Sequence, residues 1–236
     1  MTAPPQPAKA GPAEQLTFSC AALLLDLDGT LVDSAEAIMR GWNRWARTAG
    51  AATKGLADIV HGRAAADTIN TLLPGLSPEE LHRHVHEVLR IQETDPAPAR
   101  PMPGAAALVA DLDAGQWAVV TGCSVGMATV RLAAGRLPTP GVLVADEHVR
   151  GGKPDPEGYL LALRRLGVRP GDAVAVEDAP AGVAAARAAG IRTIAVTSTH
   201  SAGELDDADI VVTSLKHIRV GTARERLTLT FRERSA

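Results

Sequence analysis

Asp26 and Asp28 stand one residue apart at the end of the apolar run Ala21-Ala22-Leu23-Leu24-Leu25, and Gly29-Thr30-Leu31-Val32-Asp33-Ser34 follows at once. Two carboxylates this close repel each other and resist leaving water. A bound divalent cation removes the conflict, and oxygen donors of this kind suit Mg2+. Gly29 lets the backbone turn away, while Thr30 adds a hydroxyl and an amide. A plainer reading is a surface turn whose Asp residues only cap the next helix. A calcium loop is excluded, because it needs Gly at its sixth position and Glu at its twelfth. Leu31 and Ala37 stand there instead.

Three segments downstream share this character. Thr121 closes the run Trp117-Ala118-Val119-Val120 and leads into Gly122-Cys123-Ser124. A hydroxyl and free amides at a helix start suit a phosphate, or simply cap a turn. Lys153 sits in Gly151-Gly152-Lys153-Pro154-Asp155-Pro156. The prolines stiffen that loop, so the ammonium is held where it can neutralise a phosphate and a carboxylate nucleophile. A lone lysine is otherwise solvated surface. Glu177-Asp178 follow Ala173-Val174-Ala175-Val176 as a second strand-end acidic pair. They can complete a Mg2+ site with Asp26 and Asp28, or Asp178 can cap a helix. Each signal is weak alone, and their common place at strand ends makes coincidence a poor account.

Other catalysts compete for the same chain. Gly122-Cys123-Ser124-Val125-Gly126 satisfies the serine-hydrolase elbow G-x-S-x-G, with Asp178 and His200 following in the expected order. That reading leaves both acidic pairs and Lys153 without a task. Cys123 as a phosphatase nucleophile would need an arginine six positions on, where Thr129 stands. His82, His84, His86 and Glu87 invite a zinc site, but no third ligand accompanies the i, i+4 histidines, which fit a solvated helix better.

These residues need a scaffold, and the pattern supplies one. A strand over about Thr17–Leu25 precedes a helix through Ala37, Ile38, Trp42, Trp45 and Ala46 that ends near Gly50. Helical spacing continues to about Arg100, with Ser77-Pro78-Glu79-Glu80 opening a helix. The proline-rich segment from Pro96 to Gly104 reads as a stiff connector and hinge. Beyond it, strands at 117–121, 142–144, 173–176, 193–196 and 210–212 alternate with helices, which predicts a doubly wound parallel sheet. The expected division is a tail at 1–15, an α/β core at 16–33 and 101–236, and a helical insertion at 34–100. The basic tail Gly221–Ala236 holds a strand-like run, Leu227–Phe231, with no evident place.

Composition narrows the function further. The net charge of −3 over 236 residues gives no reason to expect nucleic acid or an anionic membrane as partner. Cys20 and Cys123 have no metal-like spacing and suit reduced thiols in a cytoplasm. Residues 1–15 lack the apolar core of a signal peptide, and no segment is long and apolar enough to span a bilayer.

The stretch Asp26–Ser34 resembles the D-x-D-G-T-L-x-D-S signature of haloacid dehalogenase-like phosphatases. Val119-Val120-Thr121, Gly152-Lys153-Pro154 and Val176-Glu177-Asp178-Ala179-Pro180-Ala181-Gly182 resemble that family's later motifs. The resemblance implies Asp26 as nucleophile and Asp28 as general acid and base. It implies Mg2+ held by Asp26, the Asp28 backbone carbonyl and Asp178, with Thr121, Gly122 and Lys153 on the phosphate. The helical insertion is similar to the cap of the sugar- and polyol-phosphatase branch. There Asp33-Ser34, Trp42-Asn43-Arg44-Trp45 and His61-Gly62-Arg63 would face the substrate, with Arg63 binding it. The expected partner is a small phosphorylated metabolite, met by a monomer or weak homodimer. A phosphomutase on the same fold and a non-catalytic regulatory protein are the alternatives.

Overall fold

The structure, a computed structural model, describes residues 17–60, 65–94, 99–223 and 226–231. The expected tail at 1–15, the His61-Gly62-Arg63 segment and Pro96–Pro98 of the connector lie outside them. Among the described residues, no helix is long and apolar enough to cross a membrane.

The opening apolar segment divides into β1 (Thr17–Cys20) and β2 (Ala22–Leu25), not the single strand its composition predicts. Then come β3 (Val32–Asp33), the helices α1 (Ala35–Ala49), α2 (Leu56–Val60), α3 (Ala65–Leu72) and α4 (Pro78–Thr94), and β4 (Arg100–Pro101). The alternating part runs α5 (Ala105–Val109), β5 (Trp117–Val120), α6 (Val125–Ala134), β6 (Val142–Val144), α7 (Glu157–Leu166) and β7 (Ala173–Glu177). It closes with α8 (Pro180–Ala188), β8 (Arg192–Val196), β9 (Ile210–Val212), β10 (Ile218–Ala223) and β11 (Arg226–Phe231).

Among the described residues, six parallel strands form the main sheet in the order β6-β5-β2-β7-β8-β9. β2 lies inside it and is buried on both faces, as a continuous apolar run in a parallel sheet requires. Leu23 and Leu25 join Val119, Val174 and Val176 beneath α5 and α6. Leu24 joins Ala118, Val120 and Ala175 on the opposite face, against Tyr159 of α7 and Ala185 of α8. The many alanines on that face keep the helices close to the sheet.

The helices α1 to α4 build an apolar cluster of their own from Trp42, Trp45, Leu56, Ile69, Val88 and Ile91. Trp42 and Trp45 meet edge to face at 5.4 Å and are buried. They are therefore core residues of this block rather than substrate-facing ones. α4 begins as its sequence predicts: Ser77 Oγ accepts from the Glu80 amide at 3.3 Å, and Glu80 accepts from the Ser77 amide at 2.8 Å.

The Leu227–Phe231 run finds its place as β11, antiparallel to both β10 and β1. The Ala21 amide donates to the Asp172 carbonyl at 2.6 Å, where the chain leaves this small sheet for the large one. Leu227, Leu229 and Phe231 alternate inward and join the main core. Phe231 meets the Phe18 ring at 5.2 Å, and the Arg192 guanidinium lies 4.3 Å from the same ring. Leu229 is fully buried, so Leu229→Ala should lower the unfolding free energy by about 2–5 kcal/mol. A urea midpoint equal to that of the parent protein would show that the hairpin lies outside the cooperative core.

Candidate active site

From β2 the sheet grows outward through β5 and β6, then resumes on the other side with β7, β8 and β9. The reversal leaves a crevice at the carboxyl end of β2, the place where sheets of this kind bind ligands. Asp26 follows β2, Thr121 follows β5, and Glu177-Asp178 end or follow β7. The expected residues thus come from neighbouring strand ends, although they are spread over more than half of the chain.

Asp26 is buried, and its amide donates to the Val176 carbonyl at 3.0 Å, which fixes its backbone against β7. Lys153 Nζ lies 2.6 Å from Asp26 Oδ1 and also 2.6 Å from Glu177 Oε1. It donates as well to the Val120 carbonyl at 3.1 Å. The Tyr159 hydroxyl donates to Glu177 Oε1 at 2.5 Å. A side chain on Gly182 would land on the Glu177 carboxylate, so this glycine makes the room Glu177 occupies. Burial disfavours the ammonium form of Lys153, but Asp26 and Glu177 outweigh burial and hold its pKa above the ordinary lysine value.

Asp26, Glu177 and Asp178 each offer a carboxylate oxygen within 4.8 Å of the others. Among the described residues this is the only group of three or more acidic, His or Cys side chains that could share an ion. Burial pushes Glu177 up to about 7, with Lys153 opposing and Asp26 adding to the rise. Burial, then Asp26 and Glu177, push Asp178 up to about 8. Three carboxylates against the single ammonium of Lys153 leave two negative charges when all are ionised. A hard divalent cation fits both that excess and the all-oxygen donor set.

Asp28 is held differently. Its Oδ1 accepts from Ser34 Oγ and its Oδ2 from the Arg131 guanidinium. Arg131 also reaches Gln92 Oε1 on α4 at 3.5 Å. Burial raises the Asp28 pKa, as does Asp26, while Arg131 and Ser34 pull against the rise; the net direction is upward. The sequence reading missed Arg131 and Ser34 as partners of Asp28, and Tyr159 as a partner of Glu177. Arg131 did carry a signal: it falls three and four residues after Ala128 and Met127, on the buried face of α6. An arginine in an apolar stripe needs a buried partner.

Thr121 Oγ1 accepts from the Cys123 amide at 3.2 Å and so shapes the turn into α6. Thr121, Gly122, Lys153 and Tyr159 line one recess. Arg63 lies outside the described residues. The rival nucleophiles have other tasks. Ser124 caps α6 by accepting from the Met127 amide at 3.1 Å and gives its proton to Glu93. His200, the base a serine hydrolase would need, sits 3.0 Å from the Asp178 carbonyl. His84 packs edge-on against Trp45, 4.0 Å from Glu87.

The haloacid dehalogenase-like hydrolase family model matches residues 20–190. The chain belongs to that family. Hexitol phosphatase A of Escherichia coli (strain K12) is 39% identical over 203 residues, covering 85% of this chain and 94% of that one. Validoxylamine A 7'-phosphate phosphatase of Streptomyces hygroscopicus subsp. limoneus is 33% identical over 201 residues, covering 83% and 94%. The solved structure of a CbbY variant from Rhodobacter sphaeroides in complex with xylulose-(1,5)bisphosphate superposes with a TM-score of 0.70 at 26% identity, covering 83% and 95%. The doubly wound core described above agrees with that family and with the solved structure it superposes on.

Neither rival nucleophile should react in the folded haloacid dehalogenase-like enzyme. Burial pushes the Cys20 thiol up to about 11 and the Cys123 thiol up to about 12, so at pH 8 both remain protonated. Ellman's reagent should find no fast thiol until denaturant is added, and a fluorophosphonate should leave Ser124 unlabelled. Stoichiometric labelling of Ser124 in the native protein would restore the serine-hydrolase reading.

Proposed function

We propose that this protein is a Mg2+-dependent phosphatase of small sugar or polyol phosphates, working through an aspartyl phosphate on Asp26. One observation carries the reading. Asp26 sits at the switch point with Lys153 on one oxygen and the Glu177 and Asp178 carboxylates beside it. As a phosphoric monoester hydrolase of its family it needs a nucleophile in such a place, and relatives named for hexitol and validoxylamine phosphates support the substrate class.

In this reading the Thr121 hydroxyl, the Gly122 amide and the Lys153 ammonium, whose residues line one recess, hold the substrate phosphoryl group next to Asp26, the partner of Lys153. The Asp26 carboxylate attacks phosphorus as the bond to the sugar oxygen breaks, giving an acyl phosphate. Asp28 gives the departing alkoxide its proton, and its raised pKa suits that task. It then takes a proton from the water that attacks the acyl phosphate, releasing inorganic phosphate and restoring Asp26. Lys153 balances charge on the phosphoryl oxygens throughout, the main labour in phosphoryl transfer. Asp26, the Asp28 backbone carbonyl and Asp178 would hold Mg2+, which when bound neutralises charge on the phosphoryl group.

In this reading residues 34–100 form a cap over a core of residues 16–33 and 101–236, and Arg63 reads the sugar from the cap. The enzyme acts in the cytoplasm on a phosphorylated metabolite, as a monomer or weak homodimer.

A panel of sugar and polyol phosphates assayed with Mg2+ tests the function. The parent enzyme should release inorganic phosphate, and quenched turnover should show a phosphoryl mass adduct on the peptide carrying Asp26. Asp26→Asn should abolish both. Full activity after exhaustive EDTA treatment would overturn the metal assignment, and phosphoryl transfer to a second sugar in place of water would make the enzyme a mutase.

Asp28→Asn separates acid catalysis from electrostatics. It should slow turnover of the best sugar phosphate by roughly two to four orders of magnitude. The loss should shrink with p-nitrophenyl phosphate, whose leaving group needs no proton. An equal loss on both substrates would make Asp28 a structural or purely electrostatic residue.

A further inference from the structure

The loop after β8 reaches across to Asp178. Thr199 Oγ1 lies within hydrogen-bond distance of Asp178 Oδ2 and 3.0 Å from the Asp178 backbone carbonyl. A threonine hydroxyl has one proton and cannot serve both acceptors. His200 Nδ1 lies 3.0 Å from the same carbonyl and 2.9 Å from Thr199 Oγ1. With a proton on Nδ1, His200 serves the carbonyl, and the hydroxyl proton of Thr199 is left for the carboxylate.

The same run is tied to the loop that carries Asp28. Ser198 Oγ donates to the Gly29 carbonyl at 2.5 Å. Gly29 has φ +86°, and a Cβ there would strike the Asp178 carboxylate and lie 2.9 Å from Thr199 Cγ2. On the other carboxylate oxygen, Thr30 Oγ1 stands 3.4 Å from Asp178 Oδ1. Asp178 is thus gripped from both sides. Left to itself, a carboxylate beside Asp26 and Glu177 would rotate away from its like-charged neighbours. A donor on Oδ2 holds its plane toward them.

We propose that Thr199, its proton directed by His200, is a positioning residue that presents the Asp178 carboxylate to a divalent cation. The inference rests on reading Asp26 and Asp178 as a Mg2+ site. Outer partners of this kind fix the orientation of metal-binding carboxylates, and their loss costs about 10–100-fold in metal affinity.

The test is Mg2+ binding to metal-free protein by titration calorimetry, with Mg2+-dependent thermal shift alongside. Thr199→Val, equal in shape and lacking the donor, should bind Mg2+ roughly 10–100-fold more weakly. Thr199→Ser, which keeps the hydroxyl, should recover most of the affinity. His200→Ala leaves the hydroxyl shared between two acceptors and should give an intermediate loss. Because the two side chains act as one device, the double variant should be no weaker than Thr199→Val alone. Thr199 is exposed, so the variants should fold, and unfolding midpoints of the metal-free proteins check that. If Thr199→Val alone fails to fold, unchanged affinity in His200→Ala overturns the proposal. Parent-like affinity in a folded Thr199→Val also overturns it while leaving the Mg2+ site standing. A parent protein that binds no Mg2+ overturns the metal reading itself, and the positioning role falls with it.

Discussion

Lys153 is the cation on which this site depends. Its ammonium touches Asp26 and Glu177 at 2.6 Å each, in a place where a third carboxylate, Asp178, also crowds in. Removing one partner of a buried ion pair costs about 3–5 kcal/mol, because the remaining charge stays desolvated. Three uncompensated carboxylates would remain here. The Lys153 side chain must therefore be delivered with little freedom, and its loop does so. Prolines follow it at 154 and 156, and Glu157 accepts from the Arg150 amide at 2.8 Å to close the turn.

The remaining crowding is met by leaving side chains out. Gly182, in the first turns of α8, stands where any Cβ would enter the Glu177 carboxylate. Gly29 does the same for Asp178 and adopts a positive φ that a larger residue would resist. The acidic cluster is therefore as much a product of two glycines as of three acids. Tyr159 completes the packing, with its ring in the apolar cluster under α7 and its hydroxyl on Glu177. A phenol is apolar at its base and still donates at its tip.

The sequence disclosed what is local. Each strand of the main sheet contains a contiguous apolar run, and Asp26, Thr121 and Asp178 each directly follow a strand, so periodicity and punctuation suffice. Those three were legible for that reason, and Lys153, well past the end of β6, was legible from the prolines of its loop. What depends on contacts between distant residues was not. Phe18 pairs with Leu229, and nothing near either residue announces it. The break at Ala21 is equally silent, because its cause is the Asp172 carbonyl. Thr199 reads as an exposed loop residue until Asp178 is placed beside it. Trp42 and Trp45 depart from what the resemblance implied for the opposite reason: a small block of helices needs its large aromatics as its own core.

The two aspartates of the opening motif are one residue apart and answer to different parts of the molecule. Asp26 is fixed by the sheet and by the Lys153 loop, through Val176 on one side and Val120 on the other. Asp28 is fixed by Ser34, the residue just before α1, and by Arg131, which touches Gln92 of α4. Gln92 in turn fills the space left by Gly41 of α1. Among the described residues the Asp28 carboxylate is thus linked to the helical block through Arg131 and Gln92, and Asp26 has no such link. Any shift of that block relative to the sheet is felt by Asp28 first. In the proposed mechanism the nucleophile must hold a single line of attack, while the acid that becomes a base must meet two different oxygens in turn, the alkoxide and then water. Anchoring the first residue to the stiffest element and the second to a separate packing unit suits those unequal demands.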